Sequence, residues 1–295
     1  MRALVTGANG FLGRHVVGAL LARGVEVRAM VRPASHLGAL GWPSSVEVFT
    51  ADLRTSYELR RAFEDVDVLL HLVPDVYTRD GYTIAKWWQE RVTRRFAETN
   101  GWDLTVLRPG FIWGREHGYL AALGLQFGRH HLVIGPLTRI PMTHVENCAD
   151  VFALVAADGR ARGQTLNVLD GRGERIWTYL SDYMRGSGRP GWRLPVPYWL
   201  AISLVRLAYA TVFRTASKVP SILIPQRFES RLKPLHFENR RLRETLGWTP
   251  PLDYQQCVVR TYGPATPNAA EPSGAGALAV LNSRFNRRNR FSKSS

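Results

Sequence analysis

The chain has 295 residues, of which 45% are hydrophobic and 21% are charged. This length allows one large domain or two modest ones, and the composition excludes a wholly disordered chain, collagen and a coiled coil. The 39 basic residues outnumber the 24 acidic residues, for a net charge of +15. That excess favours anionic partners, among them phosphorylated cofactors, nucleotide sugars, nucleic acid and acidic membranes, without choosing between them.

Cysteine usage and targeting patterns favour a cytoplasmic protein. Cys148 and Cys257 are too few for a disulfide framework, which fits a reducing compartment. The chain opens on an apolar run without the pattern of a secretory leader. The apolar stretch 198–213 has 16 residues with Arg206 in its middle, fewer than the roughly 18 needed to span a bilayer. We expect no transmembrane segment, and contact of this stretch with a membrane surface is a minor alternative.

The first hundred residues alternate β-branched runs with amphipathic stretches. The pattern predicts strands at 3–6, 25–31, 46–50, 66–73 and 104–107, and helices at 11–23, 56–64 and 82–99. Strands that alternate with helices form parallel sheets covered on both faces. The sequence therefore predicts a doubly wound (Rossmann) α/β fold.

Beyond residue 115 the alternation loosens. Helices are predicted at 119–127, 149–157, 238–246 and 254–262, and a strand at 165–169. We therefore divide the chain into a Rossmann domain at 1–115, a small mixed substrate lobe at 116–263 with strands that return to the core, and a basic tail at 264–295. The tail is predicted to be disordered, because it has too few apolar residues to form a core.

A glycine motif joins the first predicted strand to the first predicted helix. Thr6, Gly7, Gly10 and Gly13 form T-G-x-x-G-x-x-G. In such a turn the glycines permit a tight bend, a close approach of backbone to a pyrophosphate and close packing of helix on strand, and the helix N-terminus attracts the anion. The motif predicts a dinucleotide site, with contacts from Thr6, Gly7, Asn9, Gly10, Phe11, Leu12 and Gly13.

This glycine spacing resembles that of the extended short-chain dehydrogenases/reductases, the NAD(P)-dependent epimerases and dehydratases. Further motifs of the family are matched in order by Asp52-Leu53, His71-Leu72, Tyr82 with Lys86, Arg108-Pro109-Gly110 with Gly114, and Leu246-Gly247-Trp248 with Pro250. The resemblance covers about residues 1–263. It implies that Asp52, Leu53, His71, Leu72 and Pro109 also line the cofactor site.

The end of the second predicted strand bears on the choice of cofactor. NAD-binding Rossmann folds carry an acidic residue there for the ribose 2′-hydroxyl, whereas this strand ends in Met30, Val31 and Arg32. Arg32, with Arg28 or His36, could pair with a 2′-phosphate. NADP is therefore favoured over NAD, although Arg32 could also be an ordinary surface arginine.

The resemblance also implies catalytic roles for Tyr82 and Lys86, which stand at i, i+4 on one face of a helix. Tyr82 would exchange a proton with the substrate, and Lys86 would lower the phenol pKa and hold the nicotinamide ribose. One departure from the family is serious, because only eight residues, 74–81, separate Val73 from Tyr82. A parallel crossover needs a dozen or more, so one βα unit with its catalytic Ser or Thr is absent, and Thr78 is the nearest substitute.

These observations predict an NAD(P)-dependent oxidoreductase or epimerase that acts on a nucleotide sugar or, as second choice, on a hydroxysteroid-like alcohol. Arg129 and Arg139 could contact the diphosphate of a nucleotide sugar, although solvated surface residues are the more common interpretation of such arginines. The alternative is a non-catalytic NAD(P)-binding sensor or a degenerate relative. We expect no metal site, because no histidine has a second ligand at metal spacing. We also expect no specific binding of nucleic acid. A homodimer is possible, and the sequence does not decide the oligomeric state.

Overall fold

The computed structural model describes residues 1–33, 40–52, 61–71, 82–211 and 219–263, and for residues 82–87, 89, 96, 121, 221 and 230 it describes the backbone alone. Several predictions from the sequence lie outside these residues. They concern His36, Leu53, Leu72 and Thr78, the helix at 56–64 and the tail at 264–295.

The N-terminal half is built on a parallel sheet of four strands, in the order β3-β2-β1-β4. The strands are β1 (Arg2–Thr6), β2 (Glu26–Val31), β3 (Glu47–Thr50) and β4 (Val68–His71). Helix α1 (Phe11–Leu21) returns from β1 to β2. The prediction of a doubly wound α/β fold is confirmed.

A second parallel pair continues the α/β part of the chain. After α2 (Tyr82–Asn100), strand β5 (Val106–Pro109) pairs with β10 (Thr165–Val168). Within the described ranges, no ladder joins β4 to β5. This break falls where the resemblance to the family predicts that one βα unit is absent.

The helix α3 (Val145–Ala157) packs against α1 on one face of the first sheet. Val16, Val17 and Leu20 from α1 and Ala149 and Ala153 from α3 are buried in the same core. Two small residues on α3 let the helices approach closely, and burial of the apolar side chains is the main source of stability here. The core thus holds α1, and with it the glycine turn, against the sheet.

Beyond the two parallel sheets and α3, the described part of the C-terminal region combines short strands with five further α-helices. The strands are β6 (Phe111–Trp113), β7 (Leu125–Phe127), β8 (His130–Ile134), β9 (Met142–His144) and β11 (Arg193–Val196). Strand β6 pairs in parallel with β9, and β8 lies between β7 and β11. The helices are α4 (Ile176–Gly186), α5 (Tyr198–Thr211), α6 (Pro225–Leu232), α7 (Arg240–Leu246) and α8 (Tyr254–Tyr262).

The prediction of a helix at 119–127 is wrong. The structure has a single 3₁₀ turn at Ala121–Leu123, followed by β7, which is antiparallel to β8. Gly124 causes the break, because its φ of +120° is not helical and a Cβ there would lie 2.1 Å from the carbonyl oxygen of Leu132. The apolar spacing of the segment resembles a helix, but the approach of β8 decides its structure.

Helix α3 begins four residues before its predicted start. Its N-cap is His144, whose Nδ1 accepts a hydrogen bond from the N–H of Glu146. Histidine is an unusual cap, so sequence patterns do not reveal this boundary. Among the described helices, none is both long and apolar enough to cross a membrane.

Candidate functional site

The glycine turn has the geometry expected of a phosphate cradle. Gly7 has a φ of +70°, and its carbonyl accepts a hydrogen bond of 2.9 Å from the N–H of Gly10. Gly10 is the N-cap of α1 and provides no side-chain cap. The first amides of α1 are therefore left for an anion, and the helix dipole favours negative charge at this point.

Gly13 is required by close packing between the helix and the turn. A Cβ at this position would lie 2.2 Å from the carbonyl oxygen of Gly7 and 2.7 Å from that of Ala8. Distances this short are not tolerated between carbon and backbone oxygen. The fold thus explains why the third position of the motif is a glycine.

Thr6 and His71 are brought together at the carboxyl ends of β1 and β4. They are partners in the ladder between these strands, and the buried Thr6 Oγ1 lies 2.9 Å from His71 Nδ1. Both residues were predicted from the sequence to line the cofactor site. Because ligands of doubly wound folds bind at the carboxyl edge of the sheet, this pair is placed where a dinucleotide would lie.

Phe11 connects the glycine turn to the start of the second lobe. Its ring lies 4.2 Å from that of His117, and a Cβ at Gly114 would come within 3.1 Å of Phe11 Cζ. An ion pair between Arg14 and Glu116 reinforces the same contact. The glycine of the R-P-x-x-x-x-G segment therefore permits the second lobe to approach α1.

The contact of His15 with Phe11 escaped the sequence analysis. The two rings meet edge to face at 6.0 Å, and burial lowers the pKa of His15. Their i, i+4 spacing is the one signal that pointed to a contact. The residues of the second lobe that reach this point, Glu116 and His117, carry no local signal.

Arg32 lies at the edge predicted for the adenine ribose. It is exposed and directly follows β2, whose Met30 is the ladder partner of Thr6. Asp52 follows β3 at the same edge, since Thr50 pairs with Val31. At the end of β2 the chain thus presents the exposed guanidinium of Arg32 and no carboxylate. This is the arrangement on which the NADP prediction depends.

Arg28 does not take part in such a site, contrary to the possibility raised from the sequence. Its side chain is buried, and Nη1 donates hydrogen bonds to the carbonyl oxygens of Ala62 and Glu64, at 2.9 and 2.7 Å. Its Nε lies 2.9 Å from a carboxylate oxygen of Glu47. Arg28 therefore ties β2 to the segment before β4.

We expect Arg32→Ala to remove most of the preference for NADPH over NADH. A charge-assisted contact to a 2′-phosphate contributes about 1 to 3 kcal/mol, so affinity for NADPH should fall by roughly tenfold to a hundredfold while that for NADH changes little. Titration of both reduced cofactors, followed by nicotinamide fluorescence, measures this. Arg23→Ala is the control, because the guanidinium of Arg23 is already engaged in an ion pair with Asp150. Equal affinities in the parent protein would contradict the assignment.

Helix α2 is anchored through Glu90. This carboxylate accepts a hydrogen bond of 2.7 Å from Arg108 at the end of β5 and one of 2.8 Å from Arg94. The hydrogen bonds from Arg108 are the main cause that lowers the pKa of Glu90. Arg94 in turn donates to Thr165 Oγ1 at the start of β10.

These contacts fix the direction of α2 relative to the strands. Glu90 meets the end of β5 and Arg94 meets the start of β10, so α2 runs antiparallel to both strands. The residues that precede Glu90, among them Tyr82 and Lys86, therefore lie toward the carboxyl edge of the sheet. The glycine turn follows the carboxyl end of β1, in the first sheet. The catalytic roles of Tyr82 and Lys86 stay predictions. Pro109 is placed at the end of β5, at this edge.

A buried polar cluster next to the site was not predicted. Asp170, largely buried, accepts hydrogen bonds from the N–H of His144 at 2.6 Å and from Thr143 Oγ1 at 2.8 Å. The ring of His144 is buried against Trp113, with its Nε2 3.2 Å from Thr261 Oγ1. The cluster joins β9, β10 and the start of α3, and contacts over such sequence separations leave no local pattern.

Burial shifts the pKa values of the two ionisable groups of this cluster in opposite directions. It raises the pKa of Asp170 to about 6 and lowers that of His144 to about 4. A neutral Asp170 stabilises the fold at low pH, and this contribution is lost as pH rises through about 6. A neutral His144 stabilises the fold above pH 6.5, and this contribution is lost as pH falls through about 4. Between about pH 4 and 6 the two effects oppose each other.

We expect Asp170→Asn to expose the contribution of His144. Without the carboxyl group, the free energy of unfolding should rise with pH more steeply than in the parent, by up to about 1.4 kcal/mol per pH unit between pH 4 and 6. Urea denaturation across this range measures the slope. Asp103→Asn, at an exposed ion pair with Arg162, should follow the parent, and parallel curves for Asp170→Asn and parent would contradict the assignment.

The second lobe holds a small cavity. One of the residues that line it is Phe111, two positions after Pro109. Its lining includes apolar residues and, at the rim, three cations, with Phe111, Ile140, Ile176, Leu232, Leu235, Arg139, Arg231 and Lys233 among them. Its volume of about 50 Å³ is a fraction of the ~300 to 1,000 Å³ of ordinary ligand sites. It is therefore too small to enclose a substrate by itself. Arg139 reaches this rim, whereas Arg129 lies exposed beside the β7–β8 hairpin.

Comparison with known proteins agrees with these features. Residues 7–99 match the model of the NAD(P)H-binding family. Sterol demethylase protein B of Methylococcus capsulatus is 47% identical over 81 residues, which are 28% of this chain and 24% of that protein. The 3beta-hydroxysteroid-dehydrogenase/decarboxylase isoform 2 of Arabidopsis thaliana is 22% identical over 88% of this chain and 61% of its own length. The matches thus span about a quarter and three fifths of these two relatives.

The fold also occurs among solved structures. The UDP-glucose 4-epimerase of Thermus thermophilus, solved in complex with NAD, superposes with a TM-score of 0.62 and 18% identity, over 89% of this chain and 98% of the epimerase. This identity supports the fold and carries no information about substrate. Residues 7–99 thus match an NAD(P)H-binding domain, and the chain has the fold of the NAD-dependent epimerases and short-chain dehydrogenases/reductases.

Proposed function

We propose that the protein is an NAD(P)-dependent oxidoreductase that acts on the hydroxyl or carbonyl group of an apolar, sterol-like substrate, with Tyr82 as acid/base. The observation that carries this proposal is the direction of α2. Glu90 holds the helix so that the turn with Tyr82 and Lys86 lies toward the carboxyl ends of β5 and β10, and the glycine turn follows the carboxyl end of β1.

The residues present fit a dinucleotide cofactor. The glycine turn leaves the amides of α1 uncapped, and a side chain at Gly13 would fill the space that the turn needs. When bound, the nicotinamide supplies or accepts the hydride. Arg32 would hold the 2′-phosphate of NADP, and Thr6 and His71 would border the cofactor at the ends of β1 and β4.

Tyr82 has the chemistry for the proton transfer. A free phenol has a pKa of about 10, and an ammonium group one helical turn away favours the phenolate. Lys86 stands in that position. In oxidation Tyr82 would take the proton from the substrate hydroxyl, and in reduction it would return the proton to the carbonyl oxygen.

Two observations support an apolar substrate. The floor of the cavity in the second lobe is formed by Phe111, Ile140 and Ile176, and the names of the Methylococcus and Arabidopsis relatives refer to sterols. The rim of the same cavity favours the second candidate, a nucleotide sugar. Arg139, Arg231 and Lys233 would attract a diphosphate.

A non-catalytic NAD(P)-binding role is the alternative from a different class. It is motivated by the eight residues between Val73 and Tyr82, which leave no room for the strand that supplies a catalytic hydroxyl. Thr78, the nearest candidate for this role, lies outside the described residues. Turnover separates the two classes, since both bind the cofactor.

The substrate class is tested by steady-state assays with NADP⁺ and two panels, hydroxysteroids and nucleotide sugars. We expect reduction of NADP⁺ with hydroxysteroids and none with nucleotide sugars. Arg231→Gln should leave the hydroxysteroid rate within about twofold, because an apolar substrate has no group for this cation to bind. Activity confined to nucleotide sugars, and lost in Arg231→Gln, would instead select the second candidate.

A further inference from the structure

Helix α5 has apolar side chains on two opposite sides. Ala201, Ile202 and Val205 are buried in a core with Ile134 and Phe228. On the other side Trp199, Leu200, Leu204 and Leu207 are exposed, with 67%, 37%, 55% and 61% of their surface in contact with solvent. We refer to these four exposed residues as the α5 face.

An exposed stripe of this kind is unusual on a helix at a protein surface. The outer side of such a helix is normally polar, and contiguous exposed apolar patches mark contacts with proteins or membranes. Three members of the α5 face, Leu200, Leu204 and Leu207, follow helical spacing and so form one continuous surface. No described part of the chain covers the α5 face, and such a face is typical of a contact surface.

The charge of the sequence segment that carries α5 indicates which kind of partner fits the face. Residues 183–228 contain no Asp or Glu and seven basic residues, Arg185, Arg189, Arg193, Arg206, Arg214, Lys218 and Arg227. The first acidic residue after this segment, Glu229, forms an ion pair with Arg206 at 2.6 Å. An apolar strip in a basic segment is complementary to an anionic lipid surface.

We propose that the α5 face docks onto an anionic lipid bilayer, with α5 parallel to the membrane plane. The apolar side chains would enter the interface, and Trp199 would lie at headgroup level, where tryptophan is enriched. The 14 residues of α5 are too few to cross the bilayer. A second copy of the chain is a poorer occupant, because an isologous contact would bring identical basic segments together.

Sedimentation with vesicles tests this proposal on the full chain. We expect binding to vesicles of phosphatidylcholine with phosphatidylserine and much weaker binding to phosphatidylcholine alone, because the segment that carries α5 is rich in basic residues. The double variant Leu204→Gln/Leu207→Gln should bind at least about tenfold more weakly, since two leucines lose their transfer to an apolar phase. Val259→Gln, at a side chain 67% exposed on α8, is the matched control and should bind like the parent.

The outcomes separate the alternatives. The leucine variant keeps every charge, so unchanged binding in this variant would mean that basic residues alone hold the vesicles, and the proposal would be wrong. Absence of binding by the parent would also overturn it, as would a dimer in analytical ultracentrifugation that the variant abolishes without any lipid. Circular dichroism confirms that the variant is folded, and Trp199→Ser provides an independent change on the same face.

Discussion

Tyr82→Phe should lower kcat/KM for hydride transfer by about a hundredfold or more and leave NADPH affinity within about twofold. The substitution keeps the ring and removes the hydroxyl, so only proton transfer is lost. The position of α2 makes the prediction specific, since Glu90 anchors the helix through Arg108 and this contact does not depend on the phenol. Steady-state rates with the best substrate, together with a cofactor titration, measure both quantities.

Two further variants sharpen this test. Lys86→Ala should reduce both rate and cofactor affinity, because its ammonium serves the phenol and the ribose together. Tyr209→Phe, on α5 and partly exposed, is the matched control and should be as active as the parent. If Tyr82→Phe turned over substrate as fast as the parent, another group would have to move the proton.

Gly13→Ala should weaken NADPH binding by about a hundredfold or more. The new Cβ would lie 2.2 Å from the carbonyl oxygen of Gly7, so the turn has to move and the amides at the start of α1 lose their alignment with the pyrophosphate. Fluorescence titration measures the affinity. Thermal denaturation reports the loss of stability that accompanies the same movement.

Gly18 provides the matched control on the same helix. A Cβ there would meet nothing within 4 Å, so Gly18→Ala should bind NADPH normally and stabilise α1 by about 0.5 to 1 kcal/mol. Normal binding by Gly13→Ala would show that the turn yields to a methyl group, and the phosphate cradle would then need another explanation.

Local patterns were sufficient for the parts of the molecule that depend on neighbours in sequence. The strand, turn and helix around Gly7, Gly10 and Gly13 follow from glycine spacing and hydrophobic period. The end of β2, just before Arg32, could also be located, because the apolar run stops there. The break between β4 and β5 agrees with the shortage of residues between Val73 and Tyr82.

Features that depend on distant segments could not be found in this way. Gly124 excludes a helix because of Leu132, on another strand, and Arg28 is buried because the segment at 61–64 covers it. Asp170 follows β10 and meets His144 at the end of β9, 26 residues earlier in the chain. In each case the residue type is ordinary and its surroundings are decided by tertiary packing.

The central claim is that the chain binds NADP(H) and uses it in catalysis. Its most direct test is the appearance of the absorbance band of reduced nicotinamide after NADP⁺ and a hydroxysteroid are mixed with the purified protein. The account predicts that the band grows with the parent protein and fails to grow with Tyr82→Phe. A parent protein that binds NADPH firmly, yet produces no reduced nicotinamide with any hydroxysteroid or nucleotide sugar, would contradict it.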